Sequence, residues 1–223
     1  EYNFRKNIFM EAHKFIQEHN SKNNTWTVGH NFMSTMTHGE RKRMTGYVAP
    51  SIPAPVEAFT ESNGSGVNWV SKGGVTPVKN QGSCGSCWSF SSTGAMEGAW
   101  FIKTGSLLSL SEQELVDCDH LGSNGCSGGS MEGAFEWYKS NKTELESDYA
   151  YTARNGTCRA TEVAGQFNST GYKTVTANSS SALMASIQTG PTSVAIEADK
   201  SAFQMYTGGI LNSTACGTSL DHG

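Results

Sequence analysis

The sequence predicts an α+β fold with two lobes. Its first two thirds carry apolar residues at helical spacing, and its last third switches to β-branched alternation. Glycine- and serine-rich loops separate the segments, and one proline-rich stretch divides the N-terminal fifth from the rest. At 223 residues the chain can bury a substantial core as one large or two smaller domains.

Residues 1–20 place Phe4, Ile8, Phe9, Ala12, Phe15 and Ile16 on one stripe with charged residues opposite, the pattern of an amphipathic helix. An extended segment from Trp26 to Thr37 follows. Thr37-His38-Gly39-Glu40 has the form of a capping box and predicts a short helix through Met44. Between Tyr47 and Gly66 the composition turns to Pro50, Ile52, Pro53, Pro55 and Asn63-Gly-Ser-Gly66 without periodicity, which reads as a linker. The domain boundary is therefore set at 60/61.

Beyond it, Phe90, Ala95, Ala99 and Ile102 predict a helix beginning at or just after Cys87. Ser111-Glu-Gln-Glu114 is a second capping-box pattern, opening a helix to Cys118. Met131, Ala134, Phe135 and Tyr138 predict a third helix after the loop Gly122 to Gly129. Gln166–Thr176 and Thr192–Glu197 read as strands, interrupted by a helix at about 181–188.

Charge and hydropathy exclude several classes. The formal net charge is −4 and the 16 Lys and Arg are scattered, so nucleic acid is not an expected partner. No apolar run reaches the roughly 20 residues a membrane span needs. Seven Asn-x-Ser/Thr sequons, at Asn23, Asn63, Asn141, Asn155, Asn168, Asn178 and Asn212, together with six cysteines, point to a secretory, oxidising route.

The chemistry centres on Cys84-Gly85-Ser86-Cys87-Trp88. A thiol at a helix start faces unpaired backbone N–H groups and the positive end of the helix dipole, which favours thiolate; a neighbouring imidazolium takes a cysteine pKa from about 8.5 to about 3–4. Cys-x-x-Cys is also the spacing of a redox dithiol or half a zinc site. Zinc needs a second knuckle, whereas the other cysteines stand singly at 118, 126, 158 and 216. A redox dithiol is expected near a βαβ pattern, and here a loop precedes the motif and helices follow it. His13, His19, His30, His38 and His120 carry no such context and read as surface or structural residues.

The Cys-Gly-Ser-Cys-Trp run, with Leu220-Asp221-His222-Gly223 downstream and Gln81 upstream, resembles the papain family of cysteine proteases, in particular its cathepsin L-like members. Glu1, Arg5, Phe9, Ile16 and Asn20 are similar to the ERFNIN helix of cathepsin L-like propeptides, with Ala12 in place of its first Asn. Gly29 and Asn31 match the Gly-x-Asn-x-Phe-x-Asp pattern that follows, while Met33 and Thr35 replace its Phe and Asp.

The resemblance implies a helical lobe and a β-barrel-like lobe facing each other across a cleft, behind an inhibitory propeptide at 1–60, with the peptidase domain at 61–223. It implies Cys87 as nucleophile, His222 as acid and base, and Gln81 as oxyanion donor. Gly128 and Gly129 would bind the substrate backbone, and Met131, Ala195 and Leu220 would line an apolar pocket for the P2 side chain. Cys84 would pair with Cys126 and Cys118 with Cys158. Trp88 and Ser86 would serve packing and the turn.

No metal or organic cofactor is implied. Partners would be peptide and protein substrates, the chain's own propeptide and cystatin-like inhibitors, with the protein monomeric and lysosomal, vacuolar or extracellular. By the same register the sequence reads as cut at both ends, with the orienting Asn and the partner of Cys216 past Gly223, and the fragment itself is expected to be inactive. A non-catalytic relative, either a stand-alone inhibitor or an inactive homologue, is the competing class.

Overall fold

The computed structural model describes residues 1–50, 66–160 and 165–223. Most of the linker, the 60/61 boundary and the Asn63 sequon lie outside the described residues.

The first helix, α1 (Tyr2–Asn20), turns Ile16 into the protein and leaves Phe4 half-exposed, so only the C-terminal half of the apolar stripe is covered. Arg5 anchors the other half through Glu40, with Nη2 to Oε1 at 2.7 Å, and through the Thr35 carbonyl at 3.0 Å. Hydrogen bonds from the Arg5 guanidinium hold the Glu40 carboxyl at about 2. At the far end the Asn20 side chain mimics a strand edge. Its amide donates to Val28 O (2.7 Å) and its oxygen accepts from Val28 N (3.1 Å).

Val28 belongs to β1 (Trp26–Val28), which pairs antiparallel with β2 (Tyr206–Gly209) near the other end of the chain; Trp26 lies opposite Gly209 and Thr27 opposite Gly208, with an irregularity before Val28. The extended segment is thus shorter than the sequence predicts. The Asn31 side chain accepts from Met33 N, and Ser34 Oγ accepts from Asn31 N, turning Phe32–Thr35 into a 3₁₀ turn instead of a strand. The Thr37–Glu40 capping box forms as expected, opening α2 (His38–Lys42), which ends two residues before the predicted Met44.

Three helices build the first lobe: α3 (Cys87–Thr104), α4 (Glu112–Cys118) and α5 (Met131–Ser140). Trp88, Met96, Leu110, Leu115, Met131, Ala134 and Tyr138 meet in one core. Ser111 caps α4 by accepting from Glu114 N. The return bond of a capping box is missing, because Glu114 Oε2 accepts instead from the Tyr138 hydroxyl (2.8 Å) and Glu144 N (2.9 Å). Disulfides join Cys84 to Cys126 and Cys118 to Cys158.

The second lobe holds α6 (Ser180–Thr189), α7 (Ser201–Gln204) and β2. The predicted strands at 166–176 and 192–197 are not regular strands among the described residues. Gln166 and Phe167 bond to Thr143, and Ile196 makes a single antiparallel bridge with His222. A β-rich segment becomes a strand only where a partner runs alongside it, and the pairings with Thr143 and with His222 are one or two residues long. The chain remains α+β.

Candidate active site

Cys87 opens α3 behind the buried Ser86 and is itself 1% exposed. Backbone N–H groups of Gly223, Gly46 and Trp88 face its sulfur. The sequence leads one to expect a depressed thiol; the structure shows the opposite balance, since burial pushes the Cys87 thiol up and outweighs those three donors. Burial likewise moves the His222 imidazole down, against Asp221 and the Met44 carbonyl, which favour its charged form. Both groups are therefore held toward their neutral forms.

The cover over them is the chain from Met44 to Val48. Gln81 Nε2 donates to Met44 O and to Cys84 O, both at 2.8 Å, so one amide proton anchors the loop and the other points at Met44. The Met44 carbonyl also faces His222. Next, Gly46 N and Tyr47 N both donate to Asp221 O, at 2.9 and 3.0 Å. Gly129 then pairs with the same segment in parallel fashion, its N–H donating to Gly46 O and its carbonyl accepting from Val48 N, each at 2.9 Å. Gly46 has to be glycine here: a Cβ would run into the carbonyl of Gly85, which the Cys84–Cys126 disulfide loop holds fast.

His222 reaches this point on the Ile196 bridge. Ile196 N donates to His222 O (2.8 Å), His222 N donates to Ile196 O (3.1 Å), and Asp221 Oδ1 fixes Ala198 N (2.7 Å). Its Nδ1 is buried with no hydrogen-bond partner among the described residues. Gly223 lies against Met131 and the start of α3, bringing the histidine's own loop onto the cysteine's helix.

Cys87, Gln81, His222 and Gly129 thus converge on one stretch of backbone, with Gly128 packed against Gly46 and Val48. The other expected pocket residues are not gathered in the same way. Met131 lies in the core and lines a cavity of about 670 Å³ between α3, α5 and residues 167–175 and 189–194. Ala195 packs against that core without lining the cavity, and Leu220 is 53% exposed. Sequence reasoning did not single out Met44 and Gly46. Their one local signal is a glycine following a short helix, which is too common to point anywhere.

The papain family cysteine protease model matches residues 64–223. The chain belongs to the papain family of cysteine proteases. Its similarity extends past the matched domain: cysteine proteinase 5 of Dictyostelium discoideum is 43% identical over 230 residues, covering 100% of this chain and 67% of the relative. Cysteine proteinase 7 of the same organism is 44% identical over 236 residues, and the chain spans 50% of its length. Among solved structures, a recombinant stem bromelain precursor superposes with a TM-score of 0.89 at 34% identity, covering 99% of this chain and 73% of the other. Digestive procathepsin L 3 from Tenebrio molitor larval midgut gives 0.83 at 30% identity, covering 98% and 74%. Residues on both sides of the linker therefore resemble papain-family enzymes in precursor form.

Proposed function

We propose that the protein carrying this chain is a cathepsin L-like cysteine endopeptidase made as a zymogen, with residues 1–60 the inhibitory propeptide and 61–223 in the peptidase domain. The seat of the Met44 carbonyl carries this reading. Its oxygen accepts from Gln81 Nε2 and faces the His222 imidazole, while the N–H of Gly46, two residues on, faces the Cys87 sulfur. A backbone so held beside an amide donor, a base and a thiol supports the reading of a peptide lying where a substrate would.

In the released enzyme Cys87 attacks the carbonyl carbon as thiolate. His222 takes the thiol proton and returns it to the leaving amine. The developing oxyanion is met by a Gln81 amide proton and the Cys87 backbone N–H, each worth roughly 3 kcal/mol in comparable acyl-transfer sites. Gly129, with Gly128 beside it, offers the substrate the backbone groups it now gives to Gly46 and Val48.

The propeptide resists cleavage because the sulfur meets the Gly46 N–H and because burial disfavours the ion pair that makes the thiol reactive. Substrates are peptides and proteins with an apolar P2 residue, and cystatin-like inhibitors are expected to compete for the same cleft. The route is secretory, ending in a lysosome or vacuole or outside the cell. Among the described residues no helix is long and apolar enough to cross a membrane.

The test uses the full-length protein after removal of residues 1–60, assayed at pH 5 under reducing conditions on a fluorogenic dipeptide with Phe or Leu at P2. Hydrolysis is expected, stopped by E-64, the ligand bound in the structure of a Carica candamarcensis cysteine protease that is 46% identical over 70% of this chain. Cys87→Ser is expected to remove at least about 10⁴-fold of kcat with the thermal midpoint unchanged. Hydrolysis that survives this substitution refutes the reading.

A further inference from the structure

A tyrosine outside the cleft ties the two halves of the catalytic loop together. The Tyr151 hydroxyl lies 2.8 Å from the carbonyl oxygen of Gln81 and 2.6 Å from Ser86 Oγ. A carbonyl oxygen can only accept, so the phenol proton goes to Gln81 and Ser86 must donate to the phenol oxygen. Donation therefore runs in one direction, from Ser86 to Tyr151 to Gln81. Ser86 is completely buried and immediately precedes Cys87, while Gln81 carries the amide that holds the Met44 carbonyl.

Tyr151 is itself held from two further sides. Its backbone N–H donates to Glu146 Oε1 (2.9 Å), and its ring meets Phe90 of α3 edge-on, with centroids 4.9 Å apart. The phenol is thus fixed to the same helix that presents Cys87. It sets the backbone of Gln81 relative to that helix, while the Gln81–Cys84 bond sets the side chain.

We infer that Tyr151 is a positioning residue for amide hydrolysis, holding the Gln81 oxyanion donor at its working distance from the Cys87 sulfur. This rests on the catalytic reading above and adds to it a residue that touches neither the substrate nor the reacting atoms. An oxyanion donor displaced by a fraction of an ångström loses much of its effect on the transition state and little of its effect on substrate binding.

Tyr151→Phe keeps the ring against Phe90 and removes both hydroxyl bonds. In the matured full-length enzyme it is expected to lower kcat for a peptide amide about tenfold, with KM within about twofold. Alkylation of Cys87 by iodoacetamide needs the thiolate and no oxyanion donor, so its rate should stay within about twofold. In a Gln81→Ala background the same substitution should cost less than about twofold, because the group it positions is gone.

4-Aminophenylalanine at position 151, which can still donate to Gln81 O, should restore at least half of kcat. Wild-type activity within twofold in Tyr151→Phe, a tenfold loss that persists alongside Gln81→Ala, or failure of the amino analogue to restore activity overturns the inference. An inactive wild type, by contrast, refutes the catalytic reading itself.

Discussion

The lobe that presents Cys87 and the lobe that carries His222 close their cores differently. In the first, α3, α4 and α5 bury Trp88, Leu110, Leu115 and Tyr138 with their own side chains, and two disulfides tie down the surrounding loops. In the second, the described core is shared: Ala202 and Met205 meet Ile16, Trp26 and Val28 of the segment proposed as the propeptide, and β2 has β1 as its partner. On this proposed reading the propeptide has two separable parts. A hydrophobic anchor docks on the second lobe, and a backbone plug from Met44 to Val48 crosses the site between the lobes. The anchor supplies the burial energy, and the plug supplies the geometry.

Removing the anchor is the strongest way to break this comparison. Trp26→Ala together with Val28→Ala deletes two buried side chains, at about 3–5 kcal/mol for the tryptophan alone. Added in trans to the matured enzyme, a propeptide carrying both changes is expected to inhibit at least about 10²-fold more weakly, as read from a titration of residual activity. Unchanged inhibition would mean that the plug alone holds the propeptide.

Gly46→Ala sharpens the comparison from the other side, since it leaves the anchor intact and drives a methyl group into the Gly85 carbonyl. Trans inhibition should weaken about tenfold, an overpacking cost of about 1–3 kcal/mol relieved in part by shifting the plug. The dissociation rate of the complex is the quantity to compare with wild type.

A smaller effect is confined to the helical lobe. Burial pushes the Glu114 carboxyl up to about 7, against bonds from Glu144 N and Tyr138. The folded state therefore holds a proton that the unfolded chain releases at about 4.3, so this group's contribution is full below that value and is lost as pH rises toward and past 7. The thermal midpoint of the matured enzyme is expected to fall between pH 5 and pH 8, and Glu114→Gln should flatten that fall.

The two lobes also differ in how far the sequence reveals them. Periodicity in Phe90, Ala95, Ala99 and Met131, Ala134, Tyr138 marks α3 and α5 because a helix is written in its own residues. Thr37 and Glu40 likewise announce α2 within four positions. A strand depends on its partner, and β1 finds β2 across most of the chain, so nothing near Gln166 or Thr192 reveals how short the pairings with Thr143 and His222 are. The charge state of Cys87 was hidden for a related reason. Helix position argues for thiolate, and only the fold shows Gly46 and Gly223 closing over the sulfur, where desolvation prevails.

Access to that sulfur tests the central claim most directly. The rate of covalent modification by E-64 at Cys87 would be measured by mass spectrometry on the full-length protein, before and after cleavage in the linker and removal of the propeptide. The uncut protein should resist, and the matured protein should be labelled at Cys87 at least about 10²-fold faster, losing peptidase activity in step. Equal rates before and after removal, or labelling at Cys216 in place of Cys87, would contradict the account.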